Sequence, residues 1–102
     1  VSIVTPEKFK GKEAFYEKML RMFVASLPEN WPSFDAAVED IENIKVQVHT
    51  IKGTAGNLDV MEVHQCALQF ETSVRNGQPD KFLYAMFVDA CADLKKSLPP
   101  PG

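Results

Sequence analysis

Apolar and polar positions follow a helical period along almost the whole chain, interrupted at spaced breakers. These are Pro6, Gly11, the stretch from Pro28 to Pro32, Gly77-Gln78-Pro79 and the terminal Pro99-Pro100-Pro101-Gly102. The segments between them are about four turns long and rich in Ala, Leu, Met, Glu, Lys and Phe. None alternates Val, Ile and Thr with period two between turn dipeptides, so strands are not expected. A first helix is predicted over about Lys12 to Leu27, with Phe15, Met19, Met22 or Phe23, and Leu27 on its apolar face. A short turn around Pro6 to Phe9 precedes it. A second helix starts near Pro32, whose missing N–H suits the first helical position; Phe34, Ala37, Val38 and Ile41 face inward. A third runs from about Ile41 to Leu58. A fourth opens after Asp59, with Asp59 and Glu62 in capping-box spacing. It buries Val60, Val63, Ala67, Phe70 and Val74 and ends before Gly77, a good C′ residue. A fifth opens near Pro79-Asp80 and carries Phe82, Leu83, Met86, Phe87, Ala90 and Leu94 to about Ser97. Short loops between helices of similar length favour antiparallel neighbours. The expected fold is all-α: an antiparallel up-down four-helix bundle with an additional short N-terminal helix or helical turn.

At 102 residues the chain is one domain's worth. Residues 97–102 are read as a Pro-rich tail or the start of a linker. Val1 is not an initiator Met, so the chain is expected to be processed, trimmed or cut from something larger. With 11 basic and 14 acidic side chains the net charge is -3, which argues against nucleic-acid binding through phosphate neutralisation. The longest apolar run, Phe82 to Val88, is far short of the roughly 20 residues a spanning helix needs, so membrane insertion is not expected. No basic start, apolar stretch and small-residue cleavage site occurs in order. Cys66 and Cys91 are too few for a disulfide framework. A cytoplasmic monomer is the resulting expectation.

The third helix carries the chemistry. At about 100° per residue, Ile44, Val48, Ile51, Ala55 and Leu58 collect on its core side. Glu42, Lys45, His49, Lys52, Gly53 and Gly56 collect opposite, so His49 faces water. An exposed histidine alone signifies little, but helical glycine costs roughly 1 kcal/mol relative to alanine. Two glycines beside an imidazole, on a face that needs no close packing, leave room for another body to approach the backbone. A phosphoryl group on the ring would bring up to about two negative charges. Lys52, at i+3, is within reach of it; Lys45, at i−4, offers longer-range attraction or is merely solvated. With an unperturbed pKa near 6.5, an exposed imidazole is largely neutral at pH 7 and nucleophilic without a triad. The chain lacks a P-loop, kinase motifs and a carboxylate cluster for Mg²⁺. It is thus expected to accept and pass on a phosphoryl group, not to take one from ATP, with metal and positioning catalysis coming from a partner.

The stretch His49-Thr50-Ile51-Lys52-Gly53-Thr54-Ala55-Gly56-Asn57-Leu58 resembles the motif of the histidine-containing phosphotransfer (HPt) domain of multistep phosphorelays. The motif is His, any residue, an aliphatic, Lys, Gly, small, Ala, any two, then Leu. Phe70-Glu71 resembles the hydrophobic-Glu step of the next helix. The specific match is about ten residues, while length and helix layout match over most of the chain. The resemblance implies a four-helix antiparallel bundle without autonomous kinase activity. It implies His49 as phosphoacceptor, Lys52 as the residue steadying the phosphoryl group, and Gly53 as room for a receiver domain. Response-regulator receiver domains and a sensor histidine kinase would be the partners, and Mg²⁺ would sit on the receiver, with no cofactor in this chain. The Gly often found after the motif's Leu is replaced by Asp59, which tolerates left-handed backbone and can cap the next helix.

Other constellations are weaker. His64 and Cys66, two apart on a helix, point about 200° apart, poor geometry for one metal ion. Cys66 and Cys91 read as small core residues. Ser33, Ser73 and Ser97 lack His and Asp partners in readable geometry. Met19, Met22 and Phe23 read as core, part of that surface being available to dock a partner. Trp31 is a core cap or an interface anchor. The alternative function is a helical interaction module that binds a receiver without phosphotransfer.

Overall fold

The computed structural model describes residues 4–98. A 3₁₀ turn, Glu7–Phe9, is followed by five α-helices: α1 Glu13–Ser26, α2 Phe34–Glu39, α3 Ile41–Asn57, α4 Met61–Arg75 and α5 Lys81–Ser97. Among the described residues there is no strand, and no helix is long and apolar enough to cross a membrane. The most extensive packing is between α3 and α4, then between α4 and α5; α1 leans on α5, and α2 on α3 and α5. Phe70 of α4 and Phe87 of α5 are fully buried at the centre. Trp31 stands edge-on to Phe87 at 5.1 Å between centroids, so it packs on the core.

The expected stripes of α3 and α4 are the observed ones. Ile44, Val48, Ile51, Ala55 and Leu58 are buried, as are Val63, Ala67 and Phe70, joined by Cys66. Val60 and Val74 are partly buried against them. On α1 and α5 the expected stripes hold in part: Phe23, Leu27, Phe87 and Ala90 are buried and Met19, Leu83 and Leu94 pack against the core, but four residues expected inside face out. Phe15 and Met22 are exposed and Phe82 is 70% exposed, with Met86 also on the outside, while Tyr16, Leu20, Phe23, Val24 and Leu27 fill the inside of α1. Tyr84, Phe87, Ala90 and Cys91 do so on α5. The reason is that two tyrosines find buried acceptors. The Tyr16 hydroxyl donates to the Leu58 carbonyl at 2.7 Å, and the Tyr84 hydroxyl to the Pro32 carbonyl at 2.7 Å. A ring whose polar end is satisfied is buried as readily as phenylalanine, and this turns each helix so that Phe15, next to Tyr16, and Phe82, two residues before Tyr84, face water. Cys66 and Cys91 are both buried and free.

Helix ends follow local chemistry. Ser33, not Pro32, starts α2: its hydroxyl accepts from the Ala36 N–H at 3.2 Å, which places Pro32 one residue outside the helix. Val38, expected inside α2, is exposed, whereas Ala37 is fully buried. Asp80 caps α5 by accepting from the Leu83 N–H at 2.9 Å. Gly77, with φ 80°, closes α4 in a Schellman turn in which Gly77 N–H donates to Val74 O and Gln78 N–H to Ser73 O. The end of α3 repeats this with aspartate in glycine's place. Asp59 has φ 57°, its N–H donates to Gly56 O, and the Val60 N–H donates to Ala55 O. The expected capping box of Asp59 and Glu62 is therefore absent: α4 starts at Met61 after Val60 with no side-chain cap. The Asp59 carboxylate instead pairs with Lys8 at 3.2 Å. Ser97 completes α5 and Leu98 is buried in the core, so these two belong to the bundle and not to a tail. Residues 99–102 of that expected tail lie outside the described residues.

Candidate functional site

His49 sits in the middle of α3, and its neighbour Val48 is among the most deeply buried residues, so the backbone beneath the ring is anchored. The His49 side chain itself is 69% exposed. Its Nδ1 lies 2.7 Å from Oε2 of Glu71 on α4. The other oxygen, Oε1, accepts from the Lys52 ammonium at 2.6 Å. One carboxylate thus joins the imidazole and the ammonium that α3 presents one turn apart.

Glu71 is only 13% exposed. Burial by itself would raise its pKa. The hydrogen bonds from Lys52 and His49, together with the Lys52 charge, outweigh that and hold the carboxyl below the ordinary range. Ionised, it can only accept, so the Nδ1 of His49 carries the hydrogen. Fixing the proton there leaves the lone pair of the neutral ring on Nε2, the logic by which a hydrogen bond to one ring nitrogen decides the chemistry of the other. The outcome is an oriented imidazole with one nucleophilic nitrogen.

Around this pair lie a groove and two cations. Lys45, Val46, His49, Thr50 and Arg75 line the groove with Lys52 and Glu71. Lys45 pairs with Glu42 at 3.2 Å. The Arg75 guanidinium, one turn after Glu71 on the same helix, stands 3.7 Å from Oε1. Val46 is an exposed apolar side chain beside the histidine. On the other flank, Met19, Met22 and Phe23 of α1 face Thr50, Thr54 and Asn57 of α3 across a second, mainly apolar groove.

The two glycines part company. At Gly53 a Cβ would meet nothing within 4 Å, so its surroundings are open. At Gly56 a Cβ would lie 3.0 Å from Nδ1 of His64, and that nitrogen also lies 3.0 Å from the Lys52 carbonyl oxygen. Glycine at position 56, expected to clear a path for a visitor, instead makes room for a ring of its own chain. His64, weighed above as a metal ligand beside Cys66, packs against α3, while Cys66 enters the core. Among the described residues no group of three or more His, Cys, Asp or Glu side chains is placed to hold a metal ion.

Sequence reasoning placed His49, Lys52, Gly53 and Lys45 together on one face; Lys45, His49 and Lys52 line one groove, and Gly53 follows Lys52 on the same helix with open space around it. It missed Val46 and Arg75, considered His64 only as a poor metal ligand, and named Glu71 without a task. Val46 carried a signal, an apolar residue off the stripe of α3. Arg75 carried another, as the i+4 partner of Glu71. Nothing local announces that Glu71 meets a residue 22 positions earlier.

No curated protein and no solved structure matches the chain. The family profile described as the Hpt domain matches residues 18–98, from the second turn of α1 to the buried Leu98. The chain belongs to the Hpt domain family, whose members are the phosphoryl carriers, not the kinases, of phosphorelay signalling.

Proposed function

We propose that the domain carries a phosphoryl group on Nε2 of His49. It receives the group from the phospho-aspartate of a receiver domain, or from a hybrid kinase, and passes it to the aspartate of another receiver. The observation that carries this reading is the bond between His49 Nδ1 and Glu71 on a ring otherwise open to solvent. The arrangement we assign is an antiparallel up-down four-helix bundle of α1, α3, α4 and α5, with α2 as a short insert, working as a cytoplasmic monomer.

The Nε2 lone pair attacks phosphorus, forming the N–P bond as the acyl-phosphate O–P bond breaks, and the aspartate departs with the bonding electrons. The proton on Nδ1 stays, so the ring gains positive charge that faces the Glu71 carboxylate. Stabilising the charge that develops on an imidazole is the task an oriented carboxylate performs in other nucleophile systems. Transfer onward is the reverse. Mg²⁺ held at the receiver's aspartate would supply charge compensation for the phosphoryl group. Lys52 steadies the phosphoryl oxygens, Lys45 adds longer-range attraction, and the open surface at Gly53 admits the receiver's backbone. The apolar groove between α1 and α3, with Met22 exposed at its rim, gives the partner a surface to rest on.

Incubation with a phosphorylated receiver is expected to place an acid-labile, base-stable label on the domain, and His49→Gln is expected to abolish it. A variant that is still labelled would overturn the assignment of His49. A His49→Gln variant that binds the receiver and preserves signalling output unchanged would leave a binding module in place of a carrier.

A further inference from the structure

We propose that Arg75 is the reserve counter-ion of Glu71. When a phosphoryl group on His49 draws the Lys52 ammonium to itself, the Arg75 guanidinium closes on the carboxylate oxygen that Lys52 gives up. The inference rests on the phosphoryl-carrier reading above, and it assigns a positioning residue to that reading.

In the resting site Lys52 is already committed. Its Nζ lies 2.6 Å from Oε1 of Glu71, and its side chain is only 20% exposed. A phosphoryl group of up to about two negative charges, arriving on the adjacent ring, competes for that ammonium with a carboxylate of one. Once Lys52 turns toward the phosphoryl oxygens, Glu71 stands largely out of water with half of its pairing lost. A poorly hydrated carboxylate that loses the cation on one of its two oxygens is destabilised, even with the ring still bonded to the other. It also lies within reach of the new anion, which compounds the cost.

Arg75 is placed to prevent this. Its Nη2 is 3.7 Å from the same Oε1 that Lys52 occupies, beyond a hydrogen bond but within ion-pair range, on a side chain that is 66% exposed. As the i+4 neighbour of Glu71 on one helix, it needs only a rotamer adjustment to close. The guanidinium is always charged and can offer two parallel N–H donors to a carboxylate. With Oε1 held by Arg75, Oε2 remains on Nδ1 of His49, so the ring keeps its orientation while it carries the phosphoryl group. The site thus moves one cation outward and another inward.

The experiment is a double-mutant cycle on the lifetime of the phosphohistidine. The domain is labelled by a phosphorylated receiver, the receiver is removed, and hydrolysis of the label is followed by phosphorus NMR. Arg75→Ala is expected to shorten the lifetime about two- to fivefold, the span of a partly exposed ion pair, with Arg75→Lys restoring most of it. In a Glu71→Gln background, where a neutral amide needs no counter-ion, Arg75→Ala is expected to change nothing further. In proton–nitrogen NMR spectra of the same samples the Arg75 guanidinium protons should exchange with water more slowly in the phosphorylated domain than in the resting one. An Arg75→Ala effect of equal size in both backgrounds would show that the guanidinium touches the phosphoryl group itself and would overturn the hand-over. An unchanged lifetime would overturn it outright. Failure to label the unmodified domain would remove the carrier reading and this inference with it, an outcome distinct from both.

Discussion

The imidazole of His64 fills the space into which a side chain at Gly56 would project. A Cβ at position 56 would stand 3.0 Å from its Nδ1 and 3.2 Å from its Cε1, and the same Nδ1 lies 3.0 Å from the carbonyl oxygen of Lys52. The absence of a side chain at one position of α3 thus lets a ring from α4 reach the backbone of the residue that pairs with Glu71.

Alanine at the two helical glycines is therefore expected to give unequal results. Gly53→Ala meets open space and should stabilise the domain by about 1 kcal/mol, the helix-propensity difference. Gly56→Ala gains the same amount but displaces His64 and weakens a hydrogen bond worth about 1 kcal/mol, so its stability should stay near that of the parent. Urea unfolding of the two variants measures the difference. Equal stabilisation of both would show that His64 yields freely. On the carrier reading, Gly53→Ala should also slow transfer from a receiver while making the domain more stable.

Glu71→Gln tests the carboxylate that joins His49 to Lys52. The amide keeps the shape, loses the charge, and leaves the tautomer of the ring undirected. Transfer to and from His49 is expected to slow about 10- to 100-fold, the range seen for carboxylates behind ligating histidines. Stability gives a second readout. Because the Glu71 pKa is depressed in the folded state, its contribution is fully present above the ordinary carboxylate range and is lost as pH falls through the depressed value. The unfolding free energy of the parent should therefore exceed that of the variant near neutral pH, with the gap closing in acid. A gap that widened in acid would contradict the pairing.

The parts of this molecule legible in sequence are those set by neighbours within a turn or two. The buried stripe from Ile44 to Leu58 follows from helical period alone, which also fixed the outward direction of His49. Gly77 ends α4 because a left-handed residue is needed there, and Asp80 caps α5 because its carboxylate reaches three residues on. The mistakes come from distant partners. Tyr16 displaces Phe15 from the core by finding a carbonyl 42 residues away, and Tyr84 does the same to Phe82 through one 52 residues away. Glu71 gained a task, and Gly56 lost one, only when α4 was laid against α3. Period shows which way a residue points, not which group of another helix it meets.

Tyr16→Phe isolates one of these long-range bonds. The hydroxyl is buried and donates at 2.7 Å to the Leu58 carbonyl, at the end of the helix that bears His49. Its removal leaves the ring in place and takes away the side-chain donor that reaches this carbonyl. A loss of about 1–2 kcal/mol is expected, a net hydrogen bond plus part of the desolvation penalty of the acceptor. Denaturant unfolding measures it, with Phe15→Ala as the control: the exposed neighbour should cost much less. A Tyr16→Phe variant as stable as the parent would show that the Leu58 carbonyl is satisfied without it.

The buried thiols allow a test of how tightly the core is closed. Burial, together with the neighbouring Cys66, pushes the Cys91 thiol up to about 12, and Cys66 is raised by burial and by the charge of Glu62. Since the thiolate is the reacting form, neither should react with a small disulfide reagent near neutral pH while the domain is folded. Modification is expected only through opening of the bundle, so its rate should rise with denaturant in step with unfolding and fall on the addition of any ligand that stabilises the native state. Cys91, flanked along α5 by the buried Phe87 and Ala90, should require the full opening, and Cys66, the more accessible of the two, should react at lower denaturant. Rapid modification of Cys91 in the folded domain, independent of denaturant, would mean that α4 and α5 separate far more often than their packing around Phe70 and Phe87 implies.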